Sequence, residues 1–340
     1  MDLEKRITNL AEWGEKIRFL NIEEKDYLYT KAAAHNKWFT KENVEISIQG
    51  ILDYLNEENL RTWISGYPIT KPHEPKNIGL VLAGNIPLAG FHDFLTVLVS
   101  GHHVKAKLSS QDPFLLPYLS KLLIGVEPEF EKSIHFVDVL KDIDAVIATG
   151  SDNSSRYFNY YFSKYPHIIR KNRTSCALIR GDETPEEIRN LGDDIFQYFG
   201  LGCRNVSKVF VPADYKIEEL FPNFQSFSAI KDHHKYSNNY DYHKSVFLVN
   251  RVPHLDSGFF IMTETEKLVS PLSVVYYEYY NDLEDLKNKI NPNTTKLQCI
   301  IAKDGWWPHS IEPGTAQKPQ LWNYADGIDT LKFLIELNNK

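Results

Sequence analysis

Between residues 77 and 165 short apolar runs alternate with segments of helix length, and that alternation leaves few folds open. Ile78-Gly79-Leu80-Val81-Leu82 is a continuous apolar run, the pattern of a strand buried on both faces. It leads through Ala83-Gly84-Asn85-Ile86-Pro87 into a predicted helix over 88–100. Pro87 suits the first helical position because its missing N–H would be unpaired there anyway. Gly101 ends that helix, and a strand over 103–108, a helix over 114–124 and a strand over 134–137 follow. A fourth strand, 145–148, runs into Thr149-Gly150-Ser151, a glycine turn that opens a helix over 156–162. Such strands pair in parallel through right-handed crossovers, so the segment reads as a doubly wound α/β domain. Ligands of these folds bind beyond the C-terminal strand ends, which groups Asn85, Lys107 and Gly150-Ser151. Lys105 has the same residue type and, by strand alternation, the same face as Lys107, so pattern alone does not separate them.

The flanks fill out the plan. Residues 1–66 read as helices, with apolar stripes Leu3, Ile7, Leu10, Trp13 and Ile46, Ile48, Ile51, Leu52, Leu55. After a strand pair at 167–170 and 176–179, Thr184-Pro185-Glu186-Glu187 is a helix start with a capping box. That helix runs to about residue 199; further strands are expected at 208–211, 245–249, 258–262, 273–280 and 297–302, and 232–243 reads as a solvated loop. The expected division is a helical layer with a dinucleotide-binding domain over 1–180 and a catalytic cysteine domain over 181–315. A C-terminal segment, 316–340, would pack back on the first domain.

A formal charge of −7 argues against nucleic-acid binding, which needs a basic face. The charged start, Met1 to Arg6, predicts no signal peptide, and no run has the length of a membrane span. Cys176, Cys203 and Cys299 are too few and too scattered for a disulfide framework or a metal cluster, so a reducing cytoplasm is expected. The three histidines within 232–243 have no second ligand set at matching spacing.

One cysteine stands apart. Phe199-Gly200-Leu201-Gly202-Cys203-Arg204 places Cys203 beside glycine past a helix end, open to a reagent's close approach, and Arg204 would favour its thiolate. Cys176 and Cys299 lie in apolar strands and read as packed side chains. His92, His102 and His103 invite an acid–base role, but no second residue is seen to fix them; Trp306, Trp307 and Trp322 read as packing residues.

Asn85 after one strand, Lys107 and Ser109 after the next, the turn at 149–151 and Cys203 resemble, in that order, the aldehyde dehydrogenase superfamily. Closer still is a resemblance to the acyl-CoA reductase (LuxC-like) family. It is carried by Gly84-Asn85-Ile86-Pro87-Leu88, the Gly200-to-Arg204 corner, and Gln317-Lys318-Pro319 with Trp322-Asn323-Tyr324-Ala325-Asp326-Gly327. The resemblance implies an aldehyde-dehydrogenase-like fold: a doubly wound cofactor domain plus a second α/β catalytic domain. It implies an acyl thioester, from acyl-CoA or an acyl carrier, reduced to a fatty aldehyde through a Cys203 acyl-enzyme with Asn85 in the oxyanion hole. Lys107 and Ser109 would contact the adenosine end of the cofactor, Thr149, Gly150 and Ser151 its phosphates, and Glu266 or Glu264 the nicotinamide ribose.

Two departures sharpen the expectation. Hydrolytic members carry a water-activating glutamate at a position that falls near Arg170 in this chain, and the absence of a carboxylate there favours reduction over release of a free acid. Ser110 stands where NAD-preferring members carry an acid, which favours NADPH over NADH, although Asp112 is near. An acyl-transfer protein without reductase activity and a semialdehyde or acyl-phosphate reductase remain alternatives. So do a homo-oligomer and an acyl-donor protein partner.

Overall fold

The computed structural model of the chain describes residues 1–69 and 74–337. They form two compact units: Met1–Asn172 with Pro319–Lys340, and Arg173–Lys318.

The first unit begins with four helices, α1 (Leu3–Arg18), α2 (Ile22–His35), α3 (Lys41–Tyr54) and α4 (Glu57–Ser65). Asp2, Asn21, Thr40 and Asn56 each accept a hydrogen bond from a backbone amide of the first turn, which pairs donors that have no partner inside a helix. Ile7, Leu10, Trp13 and Ile17 of α1 and Val44, Ile51, Leu52 and Leu55 of the α3 segment are buried in one core with the sheet. Ile46, expected in the second stripe, is 40% exposed, because two residues from Val44 is more than half a helical turn away from the buried face.

The sheet contains β1 (Asn77–Val81), β2 (His103–Lys107), β3 (Ile134–Phe136), β4 (Ala145–Thr149) and β5 (His167–Arg170), with α5 (Phe91–Ser100), α6 (Leu115–Val126) and α7 (Asp152–Phe162) between them. All neighbours are parallel in the order β3-β2-β1-β4-β5. The chain reverses direction across the sheet between β1 and β4, so the strand ends Val81, Lys107 and Thr149 surround the switch point at which doubly wound folds bind ligands. α5 starts at Phe91, later than expected, and Leu88 has a left-handed φ of 57°. Tertiary bonds hold this segment out of the helix: Leu88 N donates to Asp112 Oδ2 and the Ser47 hydroxyl to the Pro87 carbonyl. α7 starts earlier than expected because Ser151 caps it.

The second unit holds β6 (Thr174–Leu178), α8 (Pro185–Phe196), β7 (Val206–Pro212), α9 (Phe221–Phe224), α10 (His234–Val249), β8 (Leu255–Asp256), β9 (Ile261–Glu264), β10 (Val274–Tyr280), α11 (Leu283–Ile290) and β11 (Leu297–Ile301). Its sheet runs β11-β6-β7-β10-β9-β8, parallel except for the β8–β9 pair. Phe196 packs with Phe224, Phe227, Phe259 and Phe260 in its core.

The segments 167–170 and 176–179 are not a pair: β5 closes the first unit's sheet and β6 lies inside the second's. The strand expected over 245–249 and most of the loop over 232–243 are one helix, α10. Its buried face consists of Tyr236 and Tyr240, four residues apart, and an apolar-residue count does not register a face built from tyrosines.

Candidate active site

Cys203 is reached from α8. Thr184 Oγ1 accepts the Glu187 amide, Glu187 Oε2 accepts the Thr184 amide, and the helix ends at Phe196. Tyr198, Phe199 and Gly200 then have φ of 53°, 59° and 77°, three consecutive left-handed residues of which only the last is glycine. Non-glycine residues in that region cost about 1–3 kcal/mol each and persist where their surroundings over-determine them. Both aromatic rings are buried, and Phe199 lies 4.3 Å from the His233 ring.

Beyond this stretch Cys203 is exposed. The turn that carries it is tied on both sides. Gly202 N donates to Asn205 Oδ1 at 2.8 Å, and Asn205 N donates to the Gly202 carbonyl at 3.1 Å. The Ser175 hydroxyl donates to the Cys203 carbonyl at 3.1 Å and accepts the Cys299 amide at 3.1 Å. The Arg204 guanidinium Nη1 lies 3.2 Å from Cys299 Sγ, so a second thiol is within reach of the same charge. Burial pushes the Cys299 thiol up, partly opposed by Arg204, and pushes the fully buried Cys176 thiol up to about 12. Of the three thiols, Cys203 alone is exposed.

Glu264 ends β9 and Glu266 lies in the loop after it; both are exposed. Buried Lys208 tethers this loop through the Thr265 carbonyl at 2.9 Å and also pairs with Glu278. Trp306 and Trp307 stand at 87° to one another, and Trp307 is buried in a cluster with Cys176, Leu178 and Phe210, a packing role.

In the first unit Asn85 is exposed on the loop after β1. Its neighbour Gly84 is buried, and a Cβ there would come within 2.6 Å of Ser109 Cβ, so glycine lets the loops after β1 and β2 touch. Asp112 clamps the same two loops: Oδ2 accepts from Leu88 N at 2.9 Å and Oδ1 from Leu115 N at 3.3 Å. Burial raises its carboxyl and these amides oppose the shift. Lys107 is exposed at the end of β2, whereas Lys105 donates to the carbonyls of Lys141 and Asp142, so the two lysines that pattern left equivalent are distinguished. Ser109 Oγ accepts the Gln111 amide. Thr149 ends β4, Gly150 N donates to the Arg170 carbonyl, and Ser151 Oγ accepts Ser154 N at the start of α7.

Two of the three histidines singled out in this unit, His92 and His102, are held by main-chain groups. His92 Nε2 bonds the Leu321 carbonyl at 2.8 Å, and its ring packs among Tyr54, Trp63 and Tyr324. His102 accepts Lys76 N at Nδ1, which leaves Nε2 to donate to the Leu334 carbonyl. The Tyr324 hydroxyl accepts from Trp63 Nε1 at 2.6 Å and lies 2.8 Å from the Tyr67 hydroxyl, which donates to Asp329. The 322–327 motif thus docks the C-terminal segment of this unit. Among the described residues no cluster of histidine, cysteine and acidic side chains could hold a metal ion, and no helix is long and apolar enough to cross a membrane.

Ser175 and Asn205 carry little signal in the sequence. The signals are a serine inside an apolar strand and an asparagine, a common turn residue, two positions after Cys203.

The two α/β units have the fold of the aldehyde dehydrogenases. The structure is similar to the NAD+ complex of an aldehyde dehydrogenase from Bacillus cereus, with a TM-score of 0.64 and 17% identity, covering 88% of this chain and 72% of that one. A Mycobacterium tuberculosis aldehyde dehydrogenase complexed with NAD+ gives a TM-score of 0.64 at 14% identity, covering 88% and 73%. Within that fold the family is defined by sequence: the family model of the acyl-CoA reductases (LuxC) matches residues 11–226, and the chain belongs to that family. It is 24% identical over 263 residues to the long-chain acyl-protein thioester reductase of Aliivibrio fischeri, a match covering 67% of this chain and 54% of that protein. The match therefore spans about half the length of this curated relative.

Proposed function

We propose that the chain reduces an acyl thioester to the aldehyde, with Cys203 taking the acyl group and NADPH as reductant. The observation that carries this reading is the exposed Cys203 thiol on its clamped corner, in a chain of the acyl-CoA reductase family.

The Cys203 thiolate attacks the thioester carbonyl, a carbon–sulfur bond forms, and the carbonyl oxygen gains the negative charge. Asn85 is the proposed side-chain donor to that oxyanion, with the Cys203 amide as the second; such donors act on charge that develops only in the transition state. Collapse expels the carrier thiolate, which takes up a proton, and leaves the acyl group on Cys203. Arg170 cannot act as a general base toward water, which favours persistence of the enzyme thioester. What a bound nicotinamide contributes is hydride to the acyl carbon. Cys203 then leaves as thiolate when the hemithioacetal collapses to the aldehyde.

The first unit suits a dinucleotide: its strand-end loops close on each other at Gly84, and Ser151, next to Gly150 in the turn after β4, caps α7. Lys107 and Ser109 are the proposed adenosine contacts, Thr149, Gly150 and Ser151 the phosphate contacts, and Glu266 the nicotinamide ribose contact. NADPH is preferred over NADH because Ser110 carries no charge and Asp112 is buried with both oxygens accepting amides, so no exposed carboxylate of this loop opposes a 2′-phosphate near Lys107.

The test incubates the protein with long-chain acyl-CoA, and in parallel with an acylated protein donor, each with NADPH or NADH. Absorbance of the reduced cofactor and intact mass are followed, with Cys203→Ala as control. Cofactor oxidation that depends on Cys203 is expected. An adduct on Cys203 without oxidation would make the chain an acyl-transfer protein, and full activity in Cys203→Ala would remove the cysteine from the mechanism.

A further inference from the structure

We infer that Asn205 is a positioning residue for Cys203, an inference that rests on the proposed acylation of that cysteine. The residue is 3% exposed, and its side chain uses both ends of its amide. Nδ2 is directed at the carbonyls of Asp194, Ile195 and Gln197, at 3.1, 3.3 and 2.9 Å. These belong to the last turn of α8 and its exit, where carbonyls lack partners inside the helix. Oδ1 accepts the Gly202 amide at 2.8 Å, and the Asn205 amide donates to the Gly202 carbonyl at 3.1 Å.

The consequence lies in what runs between those anchor points. Residues 198–200 are the three left-handed residues, a conformation that relaxes unless both of its ends are held. Asn205 grips carbonyls at 194, 195 and 197 before the strained stretch and the amide at 202 after it. Cys203 sits inside the 202–205 turn that the same side chain closes, and Ser175 holds its carbonyl from the other side. The direction in which the Cys203 amide and thiol are presented is therefore set by Asn205, which touches neither substrate nor thiol in this role. Only a carboxamide does this: an aspartate would keep the Gly202 bond and face three carbonyls without a proton, and an alanine would lose both ends.

The experiment compares wild type with Asn205→Ala and Asn205→Asp in the full chain. Acyl-CoA is mixed with each protein without cofactor, and the Cys203 adduct is followed by quenched-flow mass spectrometry. The rate and pH profile of Cys203 alkylation by iodoacetamide, and the unfolding temperature, are measured on the same samples. The expected result is a fall of about 10²-fold in the acylation rate at saturating acyl-CoA, the cost of displacing a reacting atom by about 1 Å. In Asn205→Ala the acyl-CoA concentration at half-saturation and the alkylation profile should stay as in wild type, because a small reagent needs no aligned carbonyl; in Asn205→Asp the added carboxylate is expected to move the alkylation profile to higher pH. Acylation at the wild-type rate in a folded variant overturns the inference. So does a parallel loss of alkylation and acylation, or failure of both variants to fold, since either would make Asn205 a residue of the fold alone. No adduct in wild type is a distinct outcome, which overturns the proposed function and this inference with it.

Discussion

Arg170 donates through Nη1 to Asp93 Oδ2 in a buried ion pair of the first unit, and through Nη2 to the Thr330 hydroxyl at 2.7 Å. It ends β5, near the place where resemblance to hydrolytic aldehyde dehydrogenases leads one to expect a glutamate. The pair ties that strand end to α5 and to the C-terminal helix Thr330–Glu336. Breaking it by Arg170→Met leaves Asp93 buried without its cation, which typically costs about 3–5 kcal/mol. Denaturant unfolding should show that loss, and Arg170→Met combined with Asp93→Leu should recover much of it. Equal instability of the single and double variants would show that the packing of Arg170, not its charge, is what matters.

The Cys203 adduct should outlast many turnover times when no reduced cofactor is present. Intact mass followed after removal of excess acyl-CoA measures this directly. Rapid return to the unmodified mass would mean that water is activated despite Arg170.

Thiol reactivity should follow burial. Iodoacetamide is expected to label exposed Cys203 first and Cys299, half-buried and raised by desolvation, more slowly; Cys176, pushed up to about 12, should react only on unfolding. Peptide mapping after timed labelling gives the order. Early labelling of Cys299 would show that Arg204 outweighs burial at that thiol.

Lys107→Ala should raise KM for NADPH about tenfold or more and leave KM for NADH much less affected, the scale of losing a charged hydrogen bond. Steady-state kinetics with both cofactors decides this. Equal effects on the two would remove Lys107 from recognition of a 2′-phosphate.

Asp194 accepts the Gly314 and Ala316 amides, yet burial raises its carboxyl from 3.8 to about 7. An acid raised on folding contributes stability below its unfolded pKa and loses that contribution as pH rises through the folded value. The stability difference between wild type and Asp194→Asn should therefore shift against wild type between about pH 4 and about pH 7, then level off. Urea unfolding across that range tests it; a constant difference would mean that Asp194 is ionised throughout.

The amino-acid sequence by itself determined the α/β class and the strands of the first unit, because strands buried on both faces appear as unbroken apolar runs such as Ile78 to Leu82. It also determined the start of α8, since a capping box is written in four consecutive residues, and it singled out Cys203 by its glycine neighbour. Local pattern failed where the deciding contacts were distant or the period was carried by atypical residues. α10 shows its buried face through Tyr236 and Tyr240, and β5 and β6 are adjacent in the chain but belong to different sheets. Only tertiary structure decided that Arg204 meets Cys299, 95 residues on, and that Arg170 meets Asp93 and Thr330, 77 and 160 residues away. It likewise separated Lys105 from Lys107 and made Asn205 the clamp of the Cys203 turn. The physical reason is the same in each case. A hydrogen bond or ion pair depends on where folding brings its partner, and neither hydropathy nor spacing along the chain carries that information.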